Sequence, residues 1–195
     1  MRGVHNKKRC RQAGTAAVEF AIVVLFFLTF IFATLELARV EYLFNTLMEV
    51  TRRAASGAAS VSYHDAGALN QVKAHAVFRN NEGPLALGDP VKASNVVIDY
   101  LSLSRDTFEL KHVTALPSCP ARNRWNCMAD PYGDNCIRFV RARICASTDG
   151  AGNCRPVSYQ KVFPFLNLSG MHLPIAETIV PAGGLGYTAG SMPCP

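Results

Sequence analysis

The sequence predicts an α+β fold, in which a long amino-terminal membrane-spanning helix continues into a small periplasmic domain built on an antiparallel sheet and held by disulfides. Three observations carry that prediction. Residues 20–35 run without a charge, and residues 15–35 hold a single one, Glu19. Segments of alternating apolar and polar residues gather after residue 94. Of seven cysteines, Cys10 precedes the apolar run, whereas Cys119, Cys127, Cys136, Cys145, Cys154 and Cys194 all follow it.

Residues 1–14 form a basic leader, with Arg2, Lys7, Lys8, Arg9 and Arg11 and no acid. The chain carries a net charge of +6, but setting the leader aside leaves 15 basic against 14 acidic residues. A nearly neutral body argues against nucleic acid as a partner, because binding a polyanion needs a basic face on the folded domain. Lys and Arg beside a first span are held on the cytoplasmic side. The expected topology is therefore a single pass through the inner membrane, amino terminus cytoplasmic and body periplasmic, with the lipid bilayer as the first partner. As a helix, residues 15–35 measure about 31 Å, the thickness of a bilayer core. A secretory signal also starts basic and turns apolar, but its core is about 7–15 residues and ends in a small-x-small site. Here the run ends in Thr34-Leu35-Glu36-Leu37.

Beyond the span, Leu37, Val40, Tyr42, Leu43, Phe44, Leu47, Met48 and Val50 recur mostly at three and four, and Gly57 is the first Gly or Pro to interrupt. One helix of about 40 residues from Thr15 follows, amphipathic in its second half. The chain divides into a leader over 1–14, a transmembrane and amphipathic helix over 15–60, and an α+β domain over 61–195 that is cysteine-rich from 119. Small residues over 56–60 predict a bend. Asp65 then caps a second helix to about Arg79, with Ala66, Leu69, Val72, Ala76 and Val77 inward, and residues 80–84 stop it. Strands are expected over 95–102, 107–116, 136–146 and 157–166, the last broken or at an edge because of Pro164. Residues 181–195, rich in Gly and Pro, are expected to be irregular, and 115–135 has no period.

Six cysteines on an oxidising side make a disulfide framework, with fifteen possible pairings left open. Zinc and free buried thiols are the alternatives. Gaps of eight or nine residues are too wide for Cys-x-x-Cys chemistry, and the histidines at 5, 64, 75, 112 and 172 do not cluster with the cysteines. No metal and no cofactor is expected. Neither is a catalytic residue, since the sequence lacks nucleophile-elbow, zinc-protease, phosphate-loop and dinucleotide motifs. Asp130 to Asn135 reads as a turn around Pro131 and Gly133. Arg141 and Arg143 share a strand face that meets either an acidic partner or solvent. Trp125 is either an exposed contact anchor or a local plug.

Glu19 is the anomaly of the span. A charge inside a bilayer costs about 2.5 kcal/mol or more, so it snorkels, pairs or marks a functional position. The leader ends at Gly14, Glu19 stands fifth after it, and Phe20 sixth. That arrangement resembles a prepilin-type signal. With Ala17-Val18-Glu19-Phe20-Ala21, Glu36-Leu37-Ala38-Arg39, Asn45 and Arg52-Arg53-Ala54-Ala55, residues 14–59 resemble the amino-terminal module of TadE-like minor pseudopilins of the tight-adherence type IV pilus. The resemblance implies a non-enzymatic subunit acting in pilus assembly or initiation, cut by a prepilin peptidase between Gly14 and Thr15. It implies packing through Glu19 and Phe20 against other pseudopilins and the major pilin, on an inner-membrane assembly platform. The competing expectation is a signal-anchored periplasmic binding or enzyme domain unrelated to pili.

Overall fold

The structure, a computed structural model, describes residues 13–81, 83–149, 152–166, 168, 170–189 and 194. The leader expected over 1–14, Cys10 included, lies outside them except for its last two residues. In chain order the elements are α1 (Ala13–Ala58), α2 (Ala66–Ala76), β1 (Val96–Leu103), β2 (Leu110–His112), α3 (Pro120–Ala129), β3 (Phe139–Ile144), β4 (Ser147–Thr148), β5 (Cys154–Arg155) and β6 (Glu177–Pro181). Helix first and antiparallel sheet after is the α+β order that the sequence predicts.

Helix α1 is continuous over 46 residues, about 69 Å at the α-helical rise. Its second half is the spine of the core. Leu43, Leu47, Val50, Ala54, Ala55 and Ala58 follow one another mostly at three and four and are fully buried, so one face of the helix meets the sheet. Thr51 sits on that face too. Its hydroxyl bonds the Met48 carbonyl at 2.9 Å and lies 2.8 Å from the Thr178 hydroxyl on β6, so its burial leaves no polar group unmet.

Asp65 caps α2 as expected, accepting the Ala68 N–H at 2.9 Å. The helix stops at Ala76, short of Arg79, because Phe78 takes the left-handed conformation (φ 59°) with its N–H on the His75 carbonyl. Ala74, Ala76 and Val77 are buried and Leu69 and Val72 half-buried, but Ala66, expected inward, is exposed. The reason lies in how α2 returns along α1. Val72 faces Gly57, where any Cβ would come within 2.8 Å of it, and Phe78 lies under the Arg53 guanidinium. The first turn of α2 therefore projects past the end of α1.

The sheet runs β2-β1-β3-β6, antiparallel throughout, and β4 pairs with β5 in a separate hairpin. Val96, Val140, Ala142 and Ile144 face α1, forming one core with its buried leucines and a second around Ala58, Tyr63, Tyr100, Ile137 and Leu185. Leu185 arrives there because Gly186 adopts φ 77° against Ser62, where a Cβ would lie 2.6 Å from the Ser62 nitrogen. The Leu185 N–H closes on the Ala59 carbonyl at 3.0 Å. The tail is thereby fastened to the top of α1.

Two expected strands change. Residues 157–166 form no strand: only Ser158 makes a bridge, to His172, and the rest wraps the middle of α1. The sheet's fourth member is instead β6, whose Thr178, Ile179 and Val180 are β-branched. The strand expected over 107–116 contracts to Leu110–His112 after Phe108 turns at φ 55°. In the unpatterned region 115–135 stands α3, opened by Pro120 at its first turn and capped by Cys119. Asn123 is its one buried residue, and its amide accepts the Ile137 N–H at 2.8 Å and donates to the Ile137 carbonyl at 3.3 Å, as a neighbouring strand would. The six cysteines pair 119–194, 127–136 and 145–154, with Cα separations of 5.9, 4.9 and 5.3 Å. Two bridges fasten α3 to the sheet and to the tail, and the third closes the β4–β5 hairpin.

Candidate functional site

Gly14, Thr15, Glu19 and Phe20 lie on the first turns of α1 and are exposed. Thr15 and Glu19 are four apart and share a face of the helix. From Gly14 to Leu35 nothing is fully buried, and Phe20, Phe26 and Phe30 expose 70%, 71% and 72% of their surface. By length and composition this unburied half is able to cross a membrane, which suggests an anchor.

The transition between the two halves of α1 is built from Glu36 and Arg39. Glu36 is 2% exposed. Its carboxylate accepts the Tyr159 hydroxyl and, at 3.2 and 3.3 Å, the Val162 N–H. Arg39, one turn on, has its guanidinium 3.7 Å from Glu36. It donates to the Leu87 carbonyl (2.9 Å), the Asp89 carbonyl (3.1 Å), the Gln160 carbonyl (2.6 Å) and the Tyr159 hydroxyl (3.0 Å). Burial, then the bond to Glu36, raises the Tyr159 phenol above its ordinary value. Two loops far apart in sequence, around 87–89 and 159–162, are thus clamped to one turn of α1. A buried acid satisfied by two hydrogen-bond donors and a cation costs little to hold, whereas removing it leaves donors unmet.

Just below this clamp Phe163 and Phe165 pack on Phe32, with ring centroids 4.8 and 5.9 Å away. A groove of about 420 Å³ opens beside it, lined by Leu35, Glu36, Ala38, Arg39, Tyr42, Leu87, Val162 and Phe163. Leu87 holds φ 56° and exposes 76% of its surface. Left-handed backbone costs a side-chain-bearing residue about 1–2 kcal/mol. The Arg39 bond to its carbonyl helps keep it there.

Further up α1, Glu49 bonds Arg52 at 2.8 Å and Arg53 at 2.7 Å, and these two hydrogen bonds lower its carboxyl from 4.5 to about 2. On the far face of the sheet, Asp99 on β1 takes Arg141 (3.1 Å) and Arg143 (2.7 Å) from β3, with His112 3.6 Å away. Arg143 is 7% exposed and also donates to the Gly152 carbonyl. Of the two expectations for these arginines the acidic partner holds, and it is Asp99 on the neighbouring strand of the same chain. The 130–135 segment is a turn, with the Tyr132 N–H and Arg105 lowering the Asp130 carboxyl. Trp125 is 63% exposed on α3. Among the described residues no group of three or more His, Cys, Asp or Glu side chains is placed to hold a metal ion.

The sequence marked Glu36 and Arg39 only as part of a motif, and it missed Tyr159 and the loops that they bind. The available signal was a lone acid between Leu35 and Leu37 at the end of an apolar run. No curated protein and no solved structure matches the chain. The model of a family described as TadE-like protein matches residues 14–56, covering the membrane-length half of α1, the clamp residues and nearly all of the half that the sheet covers. That segment is similar to the TadE-like family, a match that suggests a part in the tight-adherence pilus.

Proposed function

We propose that this chain is a membrane-anchored minor pseudopilin that supports assembly or initiation of a tight-adherence pilus and has no enzymatic role. The observation that carries the reading is where the TadE-like match falls. It lies on a helix whose membrane-length half makes almost no contact with its own head. That half is left for lipid and for other subunits.

In this reading the leader stays cytoplasmic, the head is periplasmic, and a prepilin peptidase cuts between Gly14 and Thr15. The new Thr15 amine of one subunit meets Glu19 of the next, offsetting the cost of both charges in lipid, while Phe20 packs beside them. The partners are other pseudopilins, the major pilin and the inner-membrane platform. Co-purification from membranes tests the pairing. Glu19→Ala should lose the pseudopilins that the native chain retains while its head stays folded. Equal recovery of those partners with Glu19→Ala contradicts the pairing, and a native chain that extracts without any partner helices contradicts the assembly role.

A further inference from the structure

The head carries an apolar surface at the level where α1 leaves its membrane-length segment. Phe163 and Phe165 contact Phe32, three residues before the end of the uncharged run at Leu35. Three residues of helix rise about 4.5 Å, so both rings touch α1 inside the depth of the span. Around them Leu87, Val162 and Phe165 are 76%, 56% and 55% exposed, beside Leu35 at 54%. Leu87 is turned outward from a left-handed backbone, and strain of that kind gathers at functional surfaces.

Two of the loop's N–H groups are already satisfied within the protein, which favours a site poor in water, where each unmet N–H or C=O is costly. The Val162 N–H is taken by Glu36, the Leu166 N–H by the Phe163 carbonyl at 3.2 Å, and Pro164 has no N–H to satisfy. Lys161 folds its amine over the Pro164 and Leu166 carbonyls at 3.2 and 2.8 Å. A lysine so placed keeps its charge at the polar boundary while its stem lies along apolar surface.

From these features we infer that Leu87, Val162, Phe163 and Phe165 form a foot that inserts into the lipid leaflet on the head's side. The occupant of this surface is lipid acyl chain rather than protein, because the patch is continuous with the lipid-facing surface of α1 and lies at its depth. Interfacial elements bury about 5–10 Å into that boundary. The foot, clamped to α1 by Glu36 and Arg39, fixes how deep and at what tilt the head sits. This inference rests on the reading of residues 15–35 as a membrane span.

The full-length chain in vesicles of phosphatidylethanolamine and phosphatidylglycerol, doped with phosphatidylcholine brominated near the glycerol end of its acyl chains, tests it. The background is Trp125→Phe, since Trp125 is the sole tryptophan. One probe is Phe165→Trp on the foot; the other is Phe26→Trp, in the span. The foot predicts that Phe165→Trp emission is blue-shifted and loses most of its intensity to the shallow bromines. Water-like, unquenched emission from Phe165→Trp, with Phe26→Trp quenched by lipid brominated deeper in the chain, overturns the foot and leaves the span standing. Blue-shifted but unquenched emission from Phe165→Trp means that protein covers the patch, which also overturns it. If neither probe is quenched, the span fails and the foot with it.

Discussion

The two halves of α1 are one unbroken helix made largely of the same kinds of residue, yet they solve opposite problems. From Gly14 to Leu35 the large side chains face outward, phenylalanines among them. From Leu43 to Ala58 the leucines and alanines of one face are sealed against a sheet. Composition alone does not separate them, since a helix that is apolar all round and one that is apolar on a stripe are both good helices. What separates them is where charge recurs. No charge falls over 20–35, whereas Glu36, Arg39, Glu41, Glu49, Arg52 and Arg53 punctuate the rest. The head therefore begins at the first acid after the run, and that acid is buried rather than solvated.

The sharpest way to break this contrast is to truncate one apolar side chain in each half. Leu47→Ala removes a fully buried side chain and should cost the head about 2–5 kcal/mol. Phe26→Ala, at a position 71% exposed, should leave head stability within about 0.5 kcal/mol. Urea unfolding in detergent micelles, followed by Trp125 fluorescence, measures both. Equal losses would mean that the halves are not separate environments.

Next comes the junction. Glu36→Ala leaves the Val162 N–H unmet and takes the acceptor from the Tyr159 hydroxyl and the countercharge from Arg39, and should cost about 2–3 kcal/mol. Glu36→Gln keeps an acceptor for the first two and should cost less. Faster proteolysis of the 159–166 loop in Glu36→Ala, at a protease level that spares Glu41→Ala, is the accompanying sign. An unaltered loop would show that the clamp is dispensable.

The smallest effect is alkaline and confined to the head. Tyr63 and Tyr100 pack edge to face at 5.7 Å with their hydroxyls buried and unpartnered. Burial raises each phenol from 10.0 to about 12. A raised folded value means that the unfolded chain ionises first. The stability these groups contribute is therefore present below pH 10 and fades as pH climbs towards 12. Absorbance titration of the six tyrosines should show at least two ionising late, with unfolding in the same window. Six ordinary phenols would contradict the buried pair.

How much of this was legible in the sequence depends on whether the signal is local. The uncharged run, the three-and-four spacing from Leu43, the Asp65 cap and the inward set Val140, Ala142 and Ile144 are written along the chain, and the structure carries them. The disulfide framework was legible as a number of thiols but not as a pairing, because three-dimensional proximity decides which of them meet. Residues 157–166 alternate well enough to resemble a strand, yet Glu36, more than a hundred residues earlier, takes their N–H and hydroxyl donors. β6 went unread because five residues before a Gly-rich tail carry little pattern of their own. α3 was hidden because only Asn123 is buried along it, so no apolar period exists to be read, although Pro120 following a cysteine marked its start. Arg141 and Arg143 were placed on the right face. Their partner Asp99 was on the neighbouring strand, a register that the sequence does not specify.

In the proposed function the exposed half of α1 is a processed pilin-type helix, and the amino terminus of the protein taken from native membranes decides between that and an uncleaved anchor. Intact mass together with amino-terminal sequencing should find a chain that begins at Thr15, with Glu19 as its fifth residue. A population that begins at Met1 and keeps its basic leader would contradict the account and leave α1 as a plain tether for its head.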